Sequence, residues 1–319
     1  MVKVAMQSDA ELVGARPVLR LWNARLHLGE TPIWMPADAG VQFIDGLRGE
    51  LLGCTPRGAT RRRRQVAPEL GFAALADAGR LVLGVGTELV LATADGSRIR
   101  ALGQAPGDAK KLRLNDAGAD TAGRLWTGTM CRQGRDAIGA LYRREPGGEL
   151  RMIDEGYTIP NGFAFDRAGR TVYVADSPRQ TVYTYDLDAQ GLPRHKRVFF
   201  AWSDVARGYP DGMAVDAEDH LWIAFYGGAC LRRFRPDGSI ERELPIPDQN
   251  VTACAFGGTE LRTLFVTTSG DPRARWWRPW LRGGSLYAVD PGVAGLPVPL
   301  VRVGAYGEAP AESQVNAPT

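Results

Sequence analysis

A single short pattern recurs along this chain and limits the possible folds more than length or composition does. It runs Leu114-Asn115-Asp116 to Asp120 and Leu125-Trp126, then Pro160-Asn161-Gly162 to Asp166 and Val172, then Pro210-Asp211-Gly212 to Asp216 and Leu221-Trp222. Each time an Asn or Asp opens a short alternating run, an Asp follows five positions later, and a Gly-Arg or Asp-His turn introduces another strand. Runs of β-branched and aromatic residues begin at Val41, Leu81, Leu125, Val172, Leu221 and Leu264, spaced by 40, 44, 47, 49 and 43 residues. Further short strands and Gly/Pro/Asp turns follow them, as at Pro146-Gly147-Gly148 and Pro236-Asp237-Gly238. These are hairpin signals at regular spacing, with almost no sustained helical period.

A repeat of roughly 40–50 residues carrying four strands is the signature of a propeller blade. Six starts predict an all-β fold, a six-bladed β-propeller with four-stranded antiparallel blades, in which closure hides most strand edges. The pattern divides the chain into an N-terminal extension (1–18), a single propeller (19–305) and a flexible C-terminal tail (306–319), with the first dozen residues expected to fray. Residues 19–22 are expected to seal the ring by pairing with a sheet formed by 285–289 and 300–303. Two all-β sandwiches would explain neither the even spacing nor the recurring polar residue.

Composition adds exclusions. The 319 residues carry a net charge of only +3, and the basic residues are almost all Arg, so nucleic acid is not an expected partner. The run of four arginines from Arg61 to Arg64 reads as a solvated hairpin tip. Four cysteines (54, 131, 230, 254) lie far apart with no C-x-x-C pair, which argues against a disulfide framework or zinc knuckle. No signal-like apolar core or membrane-length window is present, so the expectation is a soluble cytoplasmic protein with reduced thiols and no membrane partner.

In a propeller the innermost strands line the central channel and their starts ring one mouth of it. Asn115, Asn161 and Asp211, placed at such starts, point towards a shared axis. Glu30 in Leu28-Gly29-Glu30-Thr31-Pro32-Ile33-Trp34 precedes Val41 by eleven residues, as Asn161 precedes Val172, so it joins the ring. Glu, Asn and Asp, with or without the second Asn, form an oxygen-only set suited to a hard divalent ion. The alternative for any one of them is a turn made with the local backbone. Asp120, Asp166 and Asp216 each precede a turn and read as structural.

These residues carry a resemblance to the senescence-marker-protein/gluconolactonase/luciferin-regenerating-enzyme family, the regucalcin-like sugar lactonases. The matching motifs are Leu28 to Trp34, Arg113-Leu114-Asn115-Asp116, Gly123 to Met130, Asn161-Gly162, Pro210-Asp211-Gly212-Met213 and Phe256-Gly257-Gly258, in order over about residues 25 to 290. The resemblance implies one divalent metal held by Glu30, Asn161 and Asp211, with Ca²⁺ first and Zn²⁺, Mn²⁺, Mg²⁺ or Fe²⁺ as alternatives. It also implies substrate-binding roles for Arg113 and Asn115 and a catalytic acid/base role for Asp211. Strand alternation puts Arg113 and Asn115 on one face. Two departures stand out. Thr31 sits where the family often has Gly or Ser. Cys131-Arg132-Gln133 stands where some members have an acidic substrate contact, which leaves Gln133 as a candidate hydroxyl partner.

The expected activity is metal-dependent hydrolysis of a sugar lactone of gluconolactone or pentonolactone type to the aldonic acid by a monomer or weak homo-oligomer. Alternatives are an organophosphate or aryl-ester hydrolase on the same metal site, or a non-enzymatic metal-binding propeller. Gly-x-Ser-x-Gly and P-loop motifs are absent. The Trp/Arg-rich stretch 273–282 reads as a lid or pocket wall, a cover for a blade edge, or a basic-aromatic patch.

Overall fold

A computed structural model describes residues 10–13, 16–270 and 283–304. The architecture is an all-β, propeller-like array of antiparallel hairpins, and the helical elements among the described residues are single 3-10 turns. After β1 (Ala10–Val13) and β2 (Arg16–Trp22), the first sheet takes β3 (Gly29–Met35), β4 (Gly40–Asp45), β5 (Glu50–Cys54) and β6 (Arg62–Gln65). The second takes β7 (Ala73–Leu75), β8 (Leu81–Val85), β9 (Glu88–Ala92) and β10 (Arg98–Gln104). The third comprises β11 (Leu112–Ala119), β12 (Leu125–Cys131), β13 (Gly139–Arg144) and β14 (Leu150–Tyr157). The fourth comprises β15 (Pro160–Phe165), β16 (Thr171–Asp176), β17 (Thr181–Leu187) and β18 (Pro193–Ala201).

The remaining strands form one nine-stranded sheet. Half of it is β19 (Tyr209–Val215), β20 (Leu221–Tyr226), β21 (Cys230–Phe234) and β22 (Ile240–Pro245). The other half is β23 (Asn250–Gly257), β24 (Thr263–Ser269) and β25 (Leu286–Val289), extended by β2 and β1. The halves are joined through one pairing, Tyr226 with Asn250.

The first strand of each set of hairpins packs against the first strand of the next. β3 meets β7, β7 meets β11, and the series continues through β15, β19 and β23 back to β3. Adjacent sheets bury apolar side chains between their faces. Trp126, Leu141 and Tyr157 of the third sheet, for example, pack with Phe163, Val172 and Tyr185 of the fourth. β-branched and aromatic residues favour such strands because both sides of a sheet in this arrangement are covered.

The chain ends meet partly as expected. β2 pairs with β25, Leu19 opposite Ala288 and Trp22 opposite Leu286. Residues 300–303 do not join that sheet. Val301 pairs in parallel with Ala76 beyond β7, its N–H donating to Leu75 O at 2.9 Å and its carbonyl accepting from Asp77 N at 3.0 Å. The segment leading there also bonds to turns between first and second strands, through Ala294 O to Ala217 N and Arg302 N to Gly123 O. It therefore straps one face of the array, a contact available only once distant turns share a face. Ala10–Val13, expected to fray, pairs with β2.

The arginine run forms no hairpin tip. Arg62–Gln65 is the exposed outer strand β6, where charged side chains discourage edge-to-edge pairing. All four cysteines are free and buried. Among the described residues no helix is long and apolar enough to cross a membrane. The stretch 273–282 lies outside the described residues.

The second aspartate set closes turns and staples strands. Asp216 accepts from Glu218 N (2.9 Å), His220 N (3.1 Å), Trp222 Nε1 (2.9 Å) and Arg233 Nε (2.7 Å). Asp120 repeats the device with Ala122 N, Arg124 N and Trp126 Nε1. Asp166 binds Arg170 N and Thr171 N. Asp216 is fully buried, so Asp216→Ala leaves two turn N–H groups, Trp222 Nε1 and Arg233 Nε without their acceptor, while Arg233 keeps Glu218 and Glu241. This variant is expected to lose on the order of 3 kcal/mol in denaturant unfolding.

Candidate functional site

Five first strands carry an irregularity near their start. Register shifts fall between Glu30 and Ile33 in β3, Leu114 and Ala117 in β11, Asn161 and Ala164 in β15, Pro210 and Met213 in β19, and Val251 and Ala253 in β23. Bulges re-aim side chains out of the ladder. Here they release Glu30, Asn115–Asp116, Asn161 and Asp211 from regular alternation at the same end of neighbouring strands.

In β3 and β15 the residue after the bulging side chain bears the backbone cost. Gly162 has φ +55° and Thr31 has φ +41°. The left-handed region suits Gly and is strained for a β-branched residue, so the family's frequent Gly at the position of Thr31 has a conformational basis. A Cβ on Gly162 would lie 2.8 Å from Asp211 O and 2.6 Å from Met213 Cγ. Gly162→Ala is therefore expected to cost about 1–3 kcal/mol, measurable by urea unfolding, and to displace the Asp211 backbone.

The side chains converge as a hydrogen-bonded and electrostatic group. Asn115 Nδ2 donates to Asn161 Oδ1 at 2.7 Å and to Pro160 O at 3.1 Å, while Asn161 Nδ2 donates to Ser177 Oγ at 2.8 Å. Asp116, absent from the sequence-derived site, accepts from Ala117 N and from Gly162 N, both at 2.7 Å. Asp211 is buried, and its Oδ1 has no hydrogen-bond partner among the described residues. Glu30, Arg113 and Asn115 are half-buried.

Three carboxylic acids share this low-dielectric space. Burial, then the charges of Asp211 and Asp116, push Glu30 well above the ordinary carboxylate range, with Arg113 pulling the other way. Burial and then Asp116 raise Asp211 likewise. Asp116 itself is pushed up to about 6 by burial, against the pull of its two backbone donors. Burial also lowers Arg113, opposed by the charges of Glu69 and Glu30. The only hydrogen bond of the Arg113 guanidinium among the described residues runs to Leu114 O at 2.9 Å, which leaves most of its donors for a ligand.

Gln133 is exposed, two residues beyond β12, and among the described residues no hydrogen bond links it to this group. The neighbouring Arg132 instead forms a bidentate pair with Glu69 at 2.9 and 2.6 Å. A cavity of about 470 Å³ lies farther along the first strands, with walls that include Trp34, Asp116, Phe163, Met213 and Phe256 and a contribution from residues 296–299 of the strap. Its lining omits Glu30, Asn161 and Asp211. It is thus the apolar continuation of the axis, and Asp116 is the acid common to both.

Two supporting aspartates also escaped the sequence reading. Asp45 accepts from His27 N (2.8 Å) and Leu28 N (3.2 Å), holding the chain just before Glu30. Asp176 accepts from Thr158 N and Ile159 N, both at 3.1 Å, just before Asn161. Each stands fifteen residues after the side chain it supports, a repeated offset visible in the sequence.

A fit to a divalent cation can be judged from the residues present. Among the described residues no three His, Cys, Asp or Glu side chains are gathered as a metal-holding group; the candidate set has two carboxylates and an amide. The orphaned Asp211 Oδ1, the mutual repulsion of the acids and the oxygen-only donors all suit a hard cation.

Fold and site define a propeller-like protein with an acidic, oxygen-lined site where its first strands begin. Residues 28–270 match the SMP-30/Gluconolactonase/LRE-like region, and the chain belongs to that family. It is 31% identical over 275 residues to a 6-deoxy-6-sulfogluconolactonase of Pseudomonas putida, covering 86% of this chain and 94% of the relative. It is also 31% identical over 255 residues to a pentonolactonase of Haloferax volcanii, covering 79% and 85%. A solved calcium-binding regucalcin from Agrobacterium tumefaciens superposes with TM-score 0.82 at 25% identity, covering 91% of this chain and 97% of that one. The relatives' lactonase names fit a hydrolase acting on a lactone ester.

Proposed function

We propose that this protein hydrolyses a sugar lactone of gluconolactone or pentonolactone type to the aldonic acid, using a site formed by Glu30, Asn161, Asp211, Arg113 and Asn115. The observation that carries the reading is the buried Asp211 Oδ1, which lacks a hydrogen-bond partner among the described residues and is surrounded by other acids. A buried acceptor of this kind calls for a cation or a proton. Glu30, Asn161 and Asp211 would hold one divalent ion, Ca²⁺ first among candidates. Such an ion, when bound, supplies Lewis acidity towards the lactone carbonyl and offsets the charge of the acids.

The remaining chemistry belongs to the chain. Asp211 takes a proton from the attacking water and returns one to the departing ring oxygen. Arg113 and Asn115 hold the sugar hydroxyls. Asn115 is pre-set for this by its bonds to Pro160 O and Asn161 Oδ1, and fixed positioning can contribute much of the rate. Gln133 contributes, if substrate reaches it, only from the exposed rim. For the architecture we read six blades within one domain: the single Tyr226–Asn250 link separates the nine-stranded sheet into two, and the six first strands close a ring.

Parallel assays of five- and six-membered aldonolactones, an aryl ester and a phosphotriester test the substrate class. Lactones are expected to be preferred. A preference for the phosphotriester would replace the proposed reaction with phosphorus-ester hydrolysis on the same side chains.

A further inference from the structure

Ser177 sits at the first position after β16, is buried, and touches two strands of the site. Its hydroxyl donates to Pro210 O at 2.6 Å, a carbonyl that can only accept. A hydroxyl has one hydrogen, so towards Asn161 the Ser177 Oγ can only accept. The Asn161 atom 2.8 Å away must therefore be the amide nitrogen. Asn161 Oδ1 is consequently turned to the opposite side, where Asn115 Nδ2 reaches it at 2.7 Å. Asn115 is oriented independently, because its Nδ2 also faces the accept-only Pro160 O at 3.1 Å.

The two ends of an Asn side chain are nearly isosteric, and only the hydrogen-bond network distinguishes them. Without Ser177 as acceptor, only the Asn115 Nδ2 contact holds the amide against a flip that would present N–H donors, useless to a cation, where Oδ1 now stands. The chain of bonds also ties β11, β15 and the turn after β16 to Pro210, the residue next to Asp211.

We propose that Ser177 is a positioning residue that fixes the carbonyl oxygen of Asn161 towards the divalent-ion site and, through Pro210, the strand that carries Asp211. This rests on the reading of Glu30, Asn161 and Asp211 as the ion's ligands. Ser177 touches neither substrate nor ion; it acts through Asn161. Partners of this kind usually change metal affinity 10–100-fold when removed.

The test is calorimetric titration of Ca²⁺ into chelated protein, together with kcat and KM for an aldonolactone at saturating Ca²⁺. Ser177→Ala is expected to weaken Ca²⁺ binding at least tenfold while recovering most of kcat once the ion is saturating, because the ligands themselves remain. Ser177→Thr, which keeps the hydroxyl, is expected to stay near wild type, and Ser177→Cys, with a weaker acceptor of similar size, to fall between. A Kd in Ser177→Ala within about twofold of wild type overturns the proposal, as does an equal loss in Ser177→Thr and Ser177→Ala when both are folded. Wild-type protein that binds no Ca²⁺ and turns over no lactone would instead overturn the functional reading beneath it.

Discussion

Asp211→Asn is expected to fold and to lose lactone hydrolysis by about 10²–10⁴-fold, the range typical of removing a positioned acid/base. The amide keeps the shape and one oxygen but cannot carry a proton between water and the ring oxygen. Asp216→Ala provides the contrast. That residue sits five positions later in the same repeat, yet it serves four turn and staple donors. It should cost stability while leaving turnover per folded molecule near wild type. Measuring kcat alongside urea unfolding for both variants separates catalytic from structural acid. Equal loss of kcat per folded molecule in the two would remove the distinction.

Metal-free protein is expected to lose stability as pH rises. A carboxyl whose folded pKa exceeds its unfolded value binds more protons when folded, so its penalty is absent below the unfolded pKa and grows until the folded pKa is passed. For Asp116 the window runs from the ordinary aspartate value of 3.8 to about 6. At 1.36 kcal/mol per unit this amounts to on the order of 3 kcal/mol. Glu30 and Asp211, both raised well above the usual range, extend the decline to higher pH. Thermal unfolding of chelated protein should therefore show Tm falling across pH 4–6 and beyond, with a shallower fall in Asp116→Asn. A divalent ion at 100 times its Kd should recover about 2.7 kcal/mol. A Tm that rises across this window without metal would show that burial and mutual repulsion do not raise the three acids as described.

Hairpin spacing made the all-β class and the four four-stranded sheets legible, because each hairpin is built from local alternation and turn residues. Offsets of eleven, eleven and ten residues to the next strand brought Glu30, Asn161 and Asp211 into one group, and the structure joins Glu30 electrostatically to Asp211 and ties Asn161 to Pro210 through Ser177. Asp116 and the bulges were not legible. An extra residue in a ladder leaves no mark on hydrophobic period, and Asp116 acts on Gly162 from 46 positions away. The strap at 290–304 was misassigned because its β-like composition at 300–303 says nothing about which turn it will reach. Asp45 and Asp176 were legible in principle, since their common fifteen-residue offset is a repeat signal like the one that grouped the proposed ligands.

The most direct measurement of the central claim is the rate of aldonolactone hydrolysis by one preparation as isolated, after chelation, and after refilling with a single divalent ion, with Glu30→Gln alongside. Hydrolysis is expected to disappear on chelation, to return with about one equivalent of ion, and to stay nearly absent in Glu30→Gln under the same refilling. Hydrolysis that survives both chelation and Glu30→Gln unchanged, or no hydrolysis by the refilled wild type, would contradict the claim.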